Sequence, residues 1–408
     1  MTRPIQKVLM VTDAFHPESG GVERACGELA AALVSKGVRV SVLARAVKGR
    51  PSREEIDGIA IHRYPWARKP TAAVYLSHFL FGLREFSRIK KNDPPDLVHA
   101  HLSLSSQGPL FALRRSPIPL VASFHGPWHK EFSIEAEDLF QTRGALYGRY
   151  LNAQMDVQKT LQKRTLRLAR RIVFHSEFSR GQILEMAPWA EPKLTKIPGG
   201  VNTRTFFPGD GEKAKRKFGL SPDQPTLFTA RRLVKRMGID ILLEAMARLE
   251  KTGVNAKLLV AGKGPLRKEL EGTVVKLGLS GAVRFIGFVP DKDLADLYRA
   301  CDLFVIPTRG QENFGLPVLE ATACGCPVVA TPAGSLPEVM ALAGSPYVCK
   351  KADAESLADT IGRALAESPK GTARQKEAAR AVARDLSWEK IAQRHLDHYA
   401  KVSDCASS

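Results

Sequence analysis

Glu312 and Glu320 stand eight positions apart in ENFGLPVLE, with an Asn-Phe-Gly turn and a proline between them. Two carboxylates so spaced either share an acidic helix face or flank something. Proline disfavours helical geometry at the residue before it and suits the first helical position, which predicts a helix beginning at Pro317 and running through LEATACG. Glu320 then falls in the first turn and Glu312 in the preceding loop. Between them lie the N–H groups of a helix N-terminus, after a predicted strand, DLFVIPT (302–308), at the strand end where doubly wound folds bind ligands. A phosphate suits that place, and a carboxylate on each side suits sugar hydroxyls, one set from a ribose and one from a second sugar. The plainer alternative is that Glu320 only favours the helix dipole and Glu312 is a loop charge.

Other residues offer related chemistry. ARRLVKRMG (230–238) follows a predicted strand and sets Arg231, Arg232, Lys235 and Arg236 in one loop. That much charge suits a diphosphate, because guanidinium grips phosphate oxygens with two donors; a solvated basic loop is the alternative. Gly20 and Gly21 close the first strand-to-helix loop, where glycine lets the backbone approach a ligand, although the pattern is not GxGxxG. His125, in ASFHGPWHKE, ends a strand and can exchange a proton with a hydroxyl, or it is structural. His125 and His129 lack the glutamate of HExxH, and Pro127 argues against a continuous helix there. His99 and His101 alternate along a strand and are expected on opposite faces. Asp291-Lys292-Asp293 has DxD spacing, but helix capping explains it better. No metal site is expected, and no P-loop, GxSxG or nucleic-acid module is found.

These residues need elements to position them. KVLMVTD (7–13) reads as a buried strand, VERACGELAAALVSKG as an amphipathic helix stopped by Gly37, and VRVSVLA (38–44) as the next strand, which makes a βαβ unit and a parallel sheet. Further strands are expected at 59–64, 96–101, 119–125, 171–176 and 193–198. PGGVNTRTFFPGDGEKA (198–214) is the candidate linker. A second alternation follows, with strands at 226–230, 256–262, 283–289, 302–308, 327–332 and 346–349. In the final SWEKIAQRHLDHYAKV, Trp388, Ile391, Leu396 and Tyr399 fall on one stripe. Two doubly wound α/β domains in series result.

Composition bounds the function. The 408 residues carry a net charge of +19, of which +12 falls within residues 1–203. Arg143–Arg171 is densest, with eight basic residues against Asp156 alone. Such a surface suits anionic lipid, nucleic acid or a phosphorylated substrate, or is simply a solvated helix face. Six scattered cysteines without CxxC pairing read as free thiols, and no signal peptide or 18-residue apolar run is found, so a cytoplasmic protein is expected.

Taken together, the chain resembles the retaining glycosyltransferases of the GT-B fold, family four, which transfer a sugar from a nucleotide donor. GGVERACGELAAAL resembles the family's first glycine loop and helix, PGGVNTRTFFP its interdomain loop, ENFGLPVLEATACGCPVVAT its E-x7-E segment and WEKIAQRHLDHY its C-terminal helix. The resemblance implies two Rossmann-like domains facing a central cleft: 1–203 for the acceptor, 204–383 for the donor, and a helix within 384–408 crossing back to the first. It implies that Glu320 binds the ribose and Glu312 contacts the transferred sugar near the reacting centre. The backbone of Asn313, Phe314, Gly315 and Leu316 would hold sugar and phosphates, and Arg232 would neutralise the diphosphate. Gly21 would approach the donor, His125 would line the acceptor side, and Phe288 and Val289 would lie beside the base. Where the family reads Lys-Gly this chain has Met237-Gly238, so Lys235 or Arg236 is expected to supply the second charge. No cofactor or metal is implied; the nucleotide sugar, UDP-linked before GDP-mannose, is a substrate. The acceptor, lipid-linked or small, is left open, with peripheral contact to an anionic membrane expected and none with nucleic acid. A sugar-nucleotide epimerase of the same fold and a non-catalytic basic binding protein are the other classes.

Overall fold

Short runs such as KVLMV and LVAS are apolar on both faces, which suits interior strands of a sheet covered by helices on each side. In the computed structural model, which describes residues 5–16, 20–136, 144–367 and 372–404, these runs form two separate sheets. Arg143 of the basic stretch and Cys405 lie outside the described residues.

The chain divides into two compact units, Met1–Gly199 with Trp388–Ser408, and Gly200–Ser387. In the first, β1 (Lys7–Val11), β2 (Arg39–Arg45), β3 (Arg53–Ile56), β4 (Ile59–Tyr64), β5 (Leu97–Ala100), β6 (Leu120–Ser123), β7 (Arg171–Phe174) and β8 (Leu194–Lys196) form one sheet in the order β3-β4-β2-β1-β5-β6-β7-β8. Its helices are α1 (Gly21–Ser35), α2 (Thr71–Asn92), α3 (Ser103–Leu113), α4 (Trp128–Glu135), α5 (Gly144–Leu168) and α6 (Glu177–Met186). All strand pairs are parallel except β3 with β4. β3 is not among the expected strands, because REEI is polar and an edge strand needs no fully buried face. Its signal was Asp57-Gly58, a two-residue turn with positive φ at both positions.

The second unit pairs β9 (Thr226–Ala230), β10 (Lys257–Ala261), β11 (Val283–Gly287), β12 (Leu303–Ile306) and β13 (Val328–Ala330) in the order β11-β10-β9-β12-β13, all parallel. Around them lie α7 (Gly211–Lys217), α8 (Ile239–Lys251), α9 (Arg267–Lys276), α10 (Asp291–Ala300), α11 (Leu316–Ala323), α12 (Leu336–Leu342), α13 (Ala354–Glu367) and α14 (Ala373–Leu386). The strand expected at 346–349 is a single parallel bridge between Val348 and Ala330. Pro346 has no N–H to extend the ladder. Residues 198–214, expected as a linker, are largely pinned to the second unit instead. Phe206 is buried edge-on to Tyr298, and Arg299 donates to the carbonyls of Thr205 (3.1 Å) and Phe207 (2.9 Å).

The last helix, α15 (Trp388–Asp404), packs on α1 within the first unit. Its buried positions Trp388, Ile391, Ala392, His395, Tyr399 and Val402 recur at helical spacing, and Leu396 is only partly covered. The order of strands reverses direction at β1/β5 in one sheet and at β9/β12 in the other. Crevices at such switch points, beyond the carboxyl ends of the strands, are where this architecture places ligands.

Candidate active site

In the second unit, β9 ends at Ala230 and hands Arg231 to the switch point, while the chain beyond β12 brings up Thr308 and Glu312. Arg231 is 9 % exposed; its Nη2 donates to Thr308 Oγ1 at 2.9 Å and is ion-paired with the Glu312 carboxylate. Thr308 Oγ1 also lies 3.4 Å from Glu312 Oε2. Glu312 is thus held from two strands at once. Its carbonyl accepts the Ser335 N–H at 2.8 Å, which fixes the backbone as well. Sequence reasoning placed Arg231 among the diphosphate-binding charges. The fold uses it to position Glu312, as suits the first residue beyond an interior strand.

The helix after Glu312 starts at Leu316, one residue before the expected Pro317, with Gly315 as its cap at φ +74°. A side chain at Gly315 would also meet Leu336 Cδ2 at 2.9 Å. The earlier start moves Glu320 out of the first turn, contrary to expectation. It sits in the second turn, buried, and accepts the Tyr298 hydroxyl at 3.1 Å. The backbone from Asn313 to Leu316 therefore forms the helix entry, with Phe314 buried beneath it.

Of the basic loop, Arg232 and Lys235 are exposed and Arg236 is partly buried, its Nη1 3.5 Å from the Gln311 carbonyl. Met237 is packed in the core, and so takes no part in the surface that a lysine there would reach. Phe288 is 65 % exposed just past β11, with Lys263 Nζ 5.5 Å from its ring centre; Val289 follows it, partly covered. Asp291 and Asp293 open α10, but Pro290 is the cap, and Asp293 pairs with Lys217 at 2.7 Å rather than capping.

In the first unit a cavity of about 230 Å³ lies beyond β1, β5 and β6, lined by Asp13, Glu23, His101, His125, Trp128 and Glu131 among others. Gly20 caps α1, and its N–H donates to Glu23 Oε2 at 3.1 Å; Gly21 is the first helical residue. Pro127 ends the strand-to-helix turn and α4 begins at Trp128, which separates His125 from His129.

His125 does not act alone. Its Nε2 lies 3.2 Å from His101 Nδ1 with the rings stacked, and the His175 ring centre is 4.9 Å from its own. His99 and His101, expected on opposite faces, lie on the same one. Residues two apart on a strand share a face, and these rings lie 4.2 Å apart. His99 is held by Ser123 Oγ at 2.8 Å and the Tyr399 hydroxyl at 2.7 Å. Burial pushes His101 down to about 3, and burial with the neighbouring imidazoles holds His99 and His125 well below the usual range. All three are neutral near pH 7. Among the described residues no helix is long and apolar enough to cross a membrane.

Two family models match the chain: Glycosyltransferase Family 4 over residues 19–205 and Glycosyl transferases group 1 over residues 210–382. The D-inositol 3-phosphate glycosyltransferase of Saccharomonospora viridis is 28% identical over 403 residues, covering 94% of this chain and 90% of the relative. That of Kribbella flavida is 25% identical over 426 residues, covering 98% and 97%. Among solved structures, sucrose-phosphate synthase from Thermosynechococcus elongatus superposes with a TM-score of 0.82 at 22% identity, over 99% of this chain and 100% of that one. Anabaena Alr3699/HepE in complex with UDP-glucose gives 0.74 at 19% identity, over 97% and 99%. At such identities the structural likeness is one of fold.

Proposed function

Because the chain belongs to the group 1, family 4 glycosyl transferases, we propose that it moves a sugar from a nucleotide-diphosphate donor to an acceptor hydroxyl with retention at the anomeric carbon. The observation that carries this reading is the Arg231–Thr308–Glu312 cluster, set at a switch point directly before a helix N-terminus. A diphosphate would lie over the entry to α11, where backbone N–H groups and the helix dipole favour negative charge. Arg232 with Lys235 or Arg236 would neutralise it as the leaving group departs, so that no metal ion is required. Glu320 would take the ribose and Phe288 with Val289 the base. Gly20 and Gly21, at the start of α1, keep the role that the resemblance implies for them. A UDP-sugar is the first donor to try, since one structural neighbour carries UDP-glucose.

Glu312 would orient the donor sugar rather than attack it. Its Oε2 is engaged by a guanidinium and lies by a threonine hydroxyl, and the ion pair lowers the nucleophilicity of the carboxylate. Acceptors would enter the first unit's cavity, with His125 positioned to hydrogen-bond the attacking hydroxyl. A peripheral contact with anionic membrane is proposed for the same unit, whose α2 and α5 expose Leu76, Leu80, Leu146, Tyr147 and Tyr150 beside Arg149.

The test is turnover of a panel of UDP-, GDP-, ADP- and dTDP-sugars, with the product's anomeric configuration read by NMR. Glu312→Gln should cost about a hundredfold in kcat. An inverted product, a covalent sugar trapped on Glu312, or full activity in Glu312→Gln would each overturn the proposal.

A further inference from the structure

Three helices point their N-termini into the first unit's cavity, where the peptide dipoles would ordinarily favour an anion. In this chain each of those ends already holds a carboxylate of its own. Glu23 occupies the third position of α1, and its carboxylate accepts the Gly20 N–H. Glu131 lies in the first turn of α4. Asp13 accepts from Ser105 Oγ, in the first turn of α3, at 3.3 Å, and is paired with Arg45 Nε at 2.9 Å. All three carboxylates line the cavity, and among the described residues no lysine or arginine does. In a chain of net charge +19, this lining is acidic.

A second observation points to a ligand. His101 is 4 % exposed, its Nδ1 is engaged with His125, and its Nε2 makes no hydrogen bond among the described residues although the residue lines the cavity. A buried polar atom without a partner is costly unless something fills the site. The Trp128 indole adds a broad apolar face to the same wall.

Resting on the glycosyltransferase reading, we infer that the acceptor taken by this cavity is an uncharged, hydroxyl-rich ring, and that a phosphate-bearing one is disfavoured. Hydroxyl groups donate to carboxylates without desolvating an opposing charge. A sugar or polyol ring can stack on Trp128 and hydrogen-bond His101 Nε2 in either tautomer. A phosphate dianion would find the helix N-termini already taken up by the protein's own carboxylates, with Glu131 and Glu23 facing it and Asp13 paired to Arg45.

Isothermal titration of the full chain with myo-inositol and with myo-inositol 3-phosphate tests this, with UDP-glucose titrated in parallel. The neutral polyol should bind roughly tenfold more tightly than its phosphate, and Glu131→Gln should narrow that ratio by relieving one repulsion. Equal or tighter binding of the phosphate would overturn the inference, as would the failure of both polyols at high millimolar concentration while UDP-glucose still binds. Failure of UDP-glucose with the polyol preference intact would instead fault the donor reading alone. The wild-type ratio decides the matter even where the variant folds poorly.

Discussion

Glu312 is held in place chiefly by Arg231, and each is needed to keep the other satisfied. Their side chains are 14% and 6% exposed, so removing one partner strands the other in a poorly solvated place. Arg231→Gln should destabilise the protein by about 3 kcal/mol, read by denaturant unfolding, and cut kcat as Glu312 swings. Arg231→Gln combined with Glu312→Gln should regain part of that stability and none of the activity. A double variant no more stable than Arg231→Gln alone would show that the pair is not coupled. Tyr298→Phe removes the hydrogen bond to Glu320 within an aromatic cluster and should cost about 1 kcal/mol, together with weaker donor affinity in a titration with UDP-glucose. At this scale the sequence was partly legible. ENFGLPVLE disclosed its loop and helix entry because proline and glycine act locally. The grip of Arg231 on Glu312 was not visible, since it joins residues 81 positions apart through strand order alone. Nor was the compensated cavity, whose carboxylates come from one loop and the first turns of two separate helices.

Among elements, the strands were readable because runs such as VLMV and LLVAG are apolar throughout, and a buried parallel strand needs nothing else. The polar edge strand β3 escaped for the opposite reason. The crossing of α2 and α3 shows a constraint that no periodicity reveals. A Cβ on Gly108 would lie 2.4 Å from both Leu83 N and the Phe79 carbonyl oxygen, so the two helix backbones touch at that point. Pro109, inside α3, reinforces the local shape. Gly108→Ala should therefore force α2 and α3 apart and lose about 1–3 kcal/mol, whereas the same change within an open helix would be stabilising. Thermal unfolding separates the two, and a raised midpoint would refute the close approach. Because α3 carries Ser105 to Asp13, this variant should also weaken binding in the cavity.

For the whole molecule, the imidazoles around His101 set a pH limit. A histidine held below its usual value in the fold takes up protons more readily once unfolded, so its contribution is intact above about pH 6.5 and is lost as pH falls towards its folded value. For His101, at about 3, and His398, at about 4, that window runs from roughly 6.5 downwards, at about 1.4 kcal/mol per pH unit for each group. Glu23, pushed upward by burial, opposes them with one proton. Unfolding midpoints should be flat from pH 8 to 7 and fall steeply by pH 5.5; midpoints unchanged at pH 5.5 would contradict the buried cluster. The Tyr399 hydroxyl that binds His99 has a further consequence, which concerns time rather than space. The first unit takes its last helix from the far end of the chain, so a ribosome delivers β1–β8 long before α15. Until the intervening 188 residues have been made, His99 lacks its tyrosine and the face of α1 that α15 covers meets water. Residues 1–199 made alone should accordingly be aggregation-prone, and adding a separate 388–408 peptide should rescue them in part.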